Sequence, residues 1–157
     1  MSTPFGIRAG HFISAGALLA VALAPHVTYA ALGEPDATVA DDAQQLKGSI
    51  KSTQRASFRV HEIQLPSGTV LREFAAPSGT VFAVAWSGPA IPNLRQVLGR
   101  YFDAYVSAAQ ENRSGHRHLQ IRQNEWVMES NGHMRAFTGR AYLPQGLPPG
   151  MTLDEIR

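Results

Sequence analysis

The sequence predicts an α+β protein with an antiparallel sheet of about six strands and one long helix packed on one sheet face. Hydrophobic residues recur at helical spacing in two stretches and alternate with the period of a strand in several others. Turn signals between the strands favour hairpins. The predicted order is helix, three strands, helix, three strands.

The N-terminal residues have the composition of a secretory leader. Arg8 precedes an uncharged apolar run over residues 12–24, and small side chains precede an expected cleavage after Ala30. The run is shorter than the roughly 20 residues that span a bilayer. We therefore expect a signal peptide over 1–30, a single domain over 31–157, no membrane span after cleavage, and export to the periplasm or cell envelope of a Gram-negative bacterium.

Composition narrows the classes of function. The 157 residues include no cysteine, which excludes a lipid-anchored lipoprotein, a disulfide scaffold and a thiol enzyme. The formal net charge is only +2, and no basic stripe is present, so nucleic-acid binding is not expected.

The first predicted helix covers residues 36–50. Val39, Ala43, Leu46 and Ile50 recur at spacings of four, three and four, which gives one narrow apolar stripe.

Between residues 58 and 86 the hydrophobic period changes to two, which predicts three strands. The unit Pro-Ser-Gly-Thr-Val occurs twice, and its Gly68 and Gly79 suit the left-handed conformation that closes a short hairpin loop. A phase slip at residues 61–62 predicts a bulge. The third strand, residues 81–86, is apolar on both faces and is expected to lie centrally.

The second predicted helix runs from Asn93, its expected N-cap, to residue 110. Its apolar stripe continues over the whole length, which is typical of a helix packed on a sheet. The stripe consists of Leu94, Val97, Leu98, Tyr101, Phe102, Tyr105, Val106 and Ala109.

The last third of the chain returns to strand patterns over residues 119–123, 125–130 and 133–143. Asn131-Gly132 predicts a type I′ turn before the final strand. Gly139 interrupts that strand and predicts a kink or bulge.

Four segments carry a family resemblance: VHEIQLPSGTVLREF (60–74), VFAVAWSGP (81–89), LRQVLGRYFDAY (94–105) and GHMRAFTGRAYLP (132–144). With them the sequence resembles a family of short exported bacterial proteins known only as a domain of unknown function. The likeness covers most of residues 31–157. It implies export, size and single-domain organisation, and it supplies no catalytic residues.

Two arginines beside aromatic residues form the candidate binding site. A bulge at Gly139 would bring Arg140 to the face that carries Arg135, with Phe137 and Tyr142 alongside. Paired guanidinium groups suit a carboxylate, a phosphate or a partner strand. The alternative interpretation is ordinary exposed arginines on an outer strand.

Three histidines are weak candidates for a metal site. On a strand, His116 and His118 would share one face, and His133 would complete a three-nitrogen zinc or copper site. The segment also reads as a solvated loop, and no carboxylate stands at a tight spacing. We therefore expect no metal and no other cofactor.

No nucleophile elbow and no zinc-protease motif occurs in the sequence. The expected function is a non-catalytic binding or assembly module for an envelope protein or an anionic ligand. Two alternatives remain: a small periplasmic hydrolase or metal-dependent enzyme, and a structural component of a secreted appendage or matrix.

Overall fold

The computed structural model describes residues 31–111 and 118–157, which form an antiparallel seven-stranded sheet with helices on one face. The strand order is β1-β2-β3-β4-β7-β6-β5. The strands are β1 Ser49–Gln54, β2 Arg59–Gln64, β3 Val70–Ala75, β4 Val81–Gly88, β5 His118–Arg122, β6 Val127–His133 and β7 Ala136–Tyr142. The helices are α1 Val39–Gln45, α2 Leu94–Leu98 and α3 Phe102–Glu111.

The α+β class and the antiparallel sheet are confirmed, whereas the strand count of about six and the order of elements are wrong. The first predicted helix ends at Gln45, and the residues that follow it form β1. All six residues of β1 are exposed, so this strand lacks the apolar alternation that marks a strand in a sequence. Four strands, rather than three, therefore follow the first helix.

The prediction of one continuous helix over residues 93–110 is also wrong. A short 3-10 turn, Gly99–Tyr101, separates α2 from α3. Gly99 has a φ of 51°, and a Cβ at this position would lie 2.5 Å from the Cβ of Ala31. The close approach of the chain at Ala31 thus accounts for the break. The predicted cap is confirmed, because the Asn93 side chain accepts a hydrogen bond from the Gln96 N–H.

The two predicted hairpins are confirmed by φ values of 86° at Gly68 and 82° at Gly79. β4 lies in the middle of the sheet, as its apolar character predicts. The bulge lies elsewhere than predicted: β2 pairs without interruption through residues 61–62, and the register shifts between Phe74 and Ala75 instead.

The hairpin of β6 and β7 turns three residues later than predicted. Asn131 and Gly132 lie within β6, and the turn is made by Met134 and Arg135. Gly132 pairs with Phe137, whose ring would lie 2.8 Å from a Cβ at Gly132. This glycine therefore makes room for a neighbouring aromatic ring rather than closing the turn.

The sheet has two differently covered faces. The helices cover the first, which we call the helix face, over a core that includes Leu71, Trp86 and Leu98. The second, which we call the outer face, carries an aromatic cluster of Phe58, Phe74 and Phe82. Four residues of the C-terminal segment pack against this cluster, and we call residues 147–157 the strap. They are Leu147, Met151, Leu153 and Ile156.

Among the described residues, none of the helices combines the length and the apolar character needed to cross a bilayer.

Candidate binding surface

The four residues predicted to form a binding site do not share one surface. β7 pairs with β4 and β6 in unbroken register, so the bulge predicted at Gly139 is wrong. The indole of Trp86 lies against Gly139 and leaves no room for a Cβ there. Strand alternation places Arg140 and Tyr142 on the outer face and Phe137 on the helix face.

The two arginines of that predicted site lie in different environments. Arg135 is in the turn between β6 and β7, with a φ of 63°, beside an almost fully exposed Met134. Arg140 is partly buried: its guanidinium donates to Glu129 Oε2 at 2.7 Å and to the main-chain oxygen of Leu153 at 2.5 Å. The two guanidinium groups cannot hold one ligand together, and a binding role for either remains a prediction.

Two of the three candidate metal-binding histidines, His118 and His133, lie within the described residues. His116 lies outside the described residues. His118 Nδ1 and Asn131 Oδ1 form a hydrogen bond of 2.5 Å across β5 and β6, and His133 is the last residue of β6. Within residues 31–111 and 118–157, no group of three or more metal-binding side chains occurs.

A row of mostly charged side chains, which no sequence pattern indicated, crosses the outer face. Its members are directly opposite one another on neighbouring strands, so the row depends on the register of six strand pairs. No local pattern in the sequence reveals such a register. From β1 to β5 this charged row consists of Lys51, Glu62, Arg72, Ala85, Arg140, Glu129 and Gln120.

Opposite charges pair within the charged row on both sides of its centre. Arg72 Nε lies 2.9 Å from Glu62 Oε2, and Arg140 Nη2 lies 2.7 Å from Glu129 Oε2. The hydrogen bond from Arg140 lowers the pKa of Glu129. Each arginine is thus held in place by the carboxylate beside it.

The same two arginines hold the strap. Arg140 donates to the main-chain oxygen of Leu153, and Arg72 donates to the main-chain oxygen of Arg157 at 3.1 Å. Between these two points Ile156 is 1% exposed and packs in the aromatic cluster. The strap therefore covers the middle of the outer face.

An open groove lies between the strap and β1, with a volume of about 940 Å³. Its two carboxylates are engaged, because Glu62 pairs with Arg72 and Glu155 accepts hydrogen bonds from Thr152. Among the described residues, no ion pair is formed by the three other cations of the groove. These cations are Lys51, Arg55 and Arg157.

Strand β1 borders this groove and is an edge of the sheet. Hydrogen bonds in an antiparallel pair alternate, and the N–H of Arg55 donates to Phe58 of the turn that leads into β2. The main-chain groups of Lys51 and Thr53 therefore face β2. Those of the alternate residues point away from the sheet: Ile50, Ser52 and Gln54. We call β1 together with the groove the β1 border.

The helix face contains a buried carboxyl group on β3. Glu73 is 1% exposed, and its Oε2 has no hydrogen-bond partner. Burial and, to a smaller extent, the charge of Asp42 raise the pKa of Glu73 well above its usual value. Gln96 Nε2 donates to Asp42 Oδ1 at 3.1 Å, which ties α2 to α1. The carboxyl group of Glu73 can therefore hold a proton, but it is not accessible to solvent.

On the helix face, the imidazole of His61 lies between a serine and an aspartate. Ser52 Oγ and His61 Nδ1 are 2.8 Å apart, and His61 Nε2 lies 3.9 Å from Asp36 Oδ2. Desolvation lowers the pKa of His61, which favours its neutral form. Arg59 already binds the same Asp36 oxygen at 2.8 Å.

Comparison with known proteins identifies a family. The profile of DUF2844, described as a protein of unknown function, matches residues 28–156. No curated protein and no solved structure matches the chain.

Proposed function

We propose that this chain, which belongs to the DUF2844 family, is an exported, non-catalytic binding module of the periplasm or cell envelope, and that it binds an anionic partner at the β1 border.

One observation carries the proposal: the β1 border combines an open groove with positive charges that have no counter-ion in the described part of the chain. Two other arginines of the outer face, Arg72 and Arg140, are paired with carboxylates. Lys51, Arg55 and Arg157 remain available to a carboxylate or phosphate from outside. The buried floor of the groove, Phe58 and Phe74, adds apolar contact area.

Export is proposed from the leader-like composition of residues 1–30. The test is fractionation of cells that express the full chain, with N-terminal sequencing of the product. A mature chain that begins at Ala31 in the periplasm or envelope supports the proposal. An intact chain in the cytosol contradicts it.

Binding is tested with the mature protein and two soluble probes, poly-glutamate and polyphosphate, which separate carboxylate from phosphate as the preferred anion. The double variant Lys51→Gln with Arg55→Gln is expected to bind about tenfold more weakly, because it removes two surface charges of roughly 1 kcal/mol each or less. The matched control is Arg122→Gln, an exposed arginine on the opposite edge strand. Equal losses in the double variant and the control would contradict a site at the β1 border.

A small hydrolase is the second candidate, favoured by the line of Ser52, His61 and Asp36. A neutral histidine that is hydrogen-bonded to a serine hydroxyl is the arrangement of an activated nucleophile. The 3.9 Å separation of His61 and Asp36 exceeds a hydrogen bond, and Arg59 competes for the carboxylate. Stoichiometric labelling of Ser52 by a fluorophosphonate, abolished in His61→Gln, would establish this candidate and displace the non-catalytic proposal.

A further inference from the structure

We infer that the partner at the β1 border is an extended polypeptide segment that adds to the sheet as an eighth, antiparallel strand and places an acidic side chain opposite Lys51. The inference rests on the function proposed above and specifies its partner.

The main chain of β1 is ready for such pairing. Ile50, Ser52 and Gln54 direct their N–H and C=O groups away from β2, and every residue of the strand is exposed. An uncovered sheet edge recognises an extended chain through main-chain hydrogen bonds, and alternate side chains supply specificity.

The charged row indicates what the added strand should carry. Its charges alternate from Arg72 to Glu62 to Lys51, and the alternation stops at the edge with an ammonium group that forms no ion pair with any described residue. An acidic residue in the next strand would continue the row, because opposite charges directly across two strands attract. Arg55, which lines the same groove, favours a second acid four positions away.

The helix-face side of β1 sets a second requirement. Ile50 is 40% exposed and lies opposite the buried Ile63. The partner residue opposite Ile50 is adjacent to the acid opposite Lys51, and an apolar side chain there would cover Ile50. The preferred segment therefore alternates acidic and apolar residues.

A second copy of this chain fits the edge less well. β1 has the sequence Ser-Ile-Lys-Ser-Thr-Gln and contains no carboxylate. When two copies of β1 pair antiparallel through their outward main-chain groups, Lys51 faces Ser49, Thr53 or another Lys51 within the strand, and none of these is acidic. Charge complementarity thus favours a different polypeptide.

The experiment uses the mature protein and two short capped peptides, one in which glutamate alternates with valine and one in which lysine replaces glutamate. The glutamate peptide is expected to bind at least tenfold more tightly. Lys51→Glu should reverse this preference, and Arg122→Glu on the opposite edge should leave it unchanged.

Main-chain pairing is tested by Ser52→Pro, which removes an outward N–H at an edge position where proline is tolerated. Ser52→Ala is its control for the loss of the hydroxyl. Binding of the glutamate peptide should fall at least tenfold in Ser52→Pro and persist in Ser52→Ala. Circular dichroism and thermal melting of both variants verify that they fold.

Each other outcome overturns the inference in a recognisable way. If Ser52→Pro folds and still binds the glutamate peptide, the contact is ionic and no strand is added, while the proposed function stands. If neither peptide binds but poly-glutamate or polyphosphate does, only the strand inference fails. If no anionic probe binds, both fail. If the free protein is a dimer joined through β1, the second copy is the occupant.

Discussion

Two neighbouring rows of residues cross the sheet and carry their polar groups in opposite ways. The charged row lies on the outer face, where each carboxylate meets an arginine within 3 Å. The second row begins at Ser52, one residue after Lys51, and lies on the helix face. It continues through His61 and Glu73, and its members on the following strands are apolar. There a carboxyl oxygen of Glu73 and His61 Nε2 are buried without hydrogen-bond partners.

The two rows differ because the helix face provides most of the stabilising core, whereas the outer face carries charged groups. The helix face contains the larger apolar core and tolerates a few costly polar groups, because its packing stabilises the fold. On the outer face Arg72 and Arg140 are partly exposed and paired with carboxylates, and the strap packs on the aromatic cluster. At the β1 border, Lys51, Arg55 and Arg157 form no ion pair within the described part of the chain. The four predictions below test this comparison, in order of decreasing effect.

Trp86→Ala is expected to cost about 3–5 kcal/mol of unfolding free energy, because it removes a large buried side chain from the helix face. Chemical denaturation measures the loss. A cost below about 1 kcal/mol would mean that the helix face does not dominate stability.

Ile156→Ala should cost about 2 kcal/mol, at the low end for a buried aliphatic truncation, because the strap packs on only one side of the sheet. Thermal or chemical denaturation provides the value. Asp154→Ala, an exposed position of the strap, is the control and should be nearly neutral. Equal, negligible effects of both changes would show that the strap does not hold the outer face.

Glu73→Gln should stabilise the protein by about 1–2 kcal/mol at pH 8, because the burial of an ionised group is avoided. The folded-state pKa of Glu73 is raised, so its stabilising contribution is complete below the unfolded pKa near 4.5 and is lost as the pH rises. Unfolding free energies at pH 4.5 and pH 8 should therefore differ less in the variant than in the wild type. Glu62→Gln, on the outer face of the neighbouring strand β2, should show no gain at pH 8.

Glu129→Gln should cost less than about 1 kcal/mol at neutral pH, because the ion pair with Arg140 is half-solvated. The folded-state pKa of Glu129 is lowered, so its contribution is present above the usual carboxyl pKa and is lost as the pH falls. The variant and the wild type should converge in stability in acid. A constant difference from neutral to acid pH would rule out the ion pair as the cause.

The parts of the fold that the sequence predicts are those with strong local signals. The two Pro-Ser-Gly hairpins are correct because Gly68 and Gly79 adopt the left-handed conformation that the turns require. The central position of β4 follows from its two apolar faces. β1 is missed because an exposed edge strand has no apolar periodicity.

The predictions at Gly132 and Gly139 are wrong for the same physical reason. Gly132 and Gly139 look like a turn and a bulge, but each accommodates an aromatic ring from elsewhere, that of Phe137 or Trp86. The predicted grouping of Arg135 with Arg140 depended on a bulge at Gly139 and is not observed, because the register of β7 is unbroken there. The charged row and the β1 border could not be anticipated, because they depend on which residues of distant strands lie opposite each other.

Amide hydrogen exchange of the free mature protein tests the central claim, an open β1 edge, most directly. Protection should alternate along the strand: the amides of Lys51 and Thr53 exchange slowly, and those of Ile50, Ser52 and Gln54 exchange at rates close to those of an unstructured chain. Uniform protection along β1 would show that this edge is already occupied and would contradict the account.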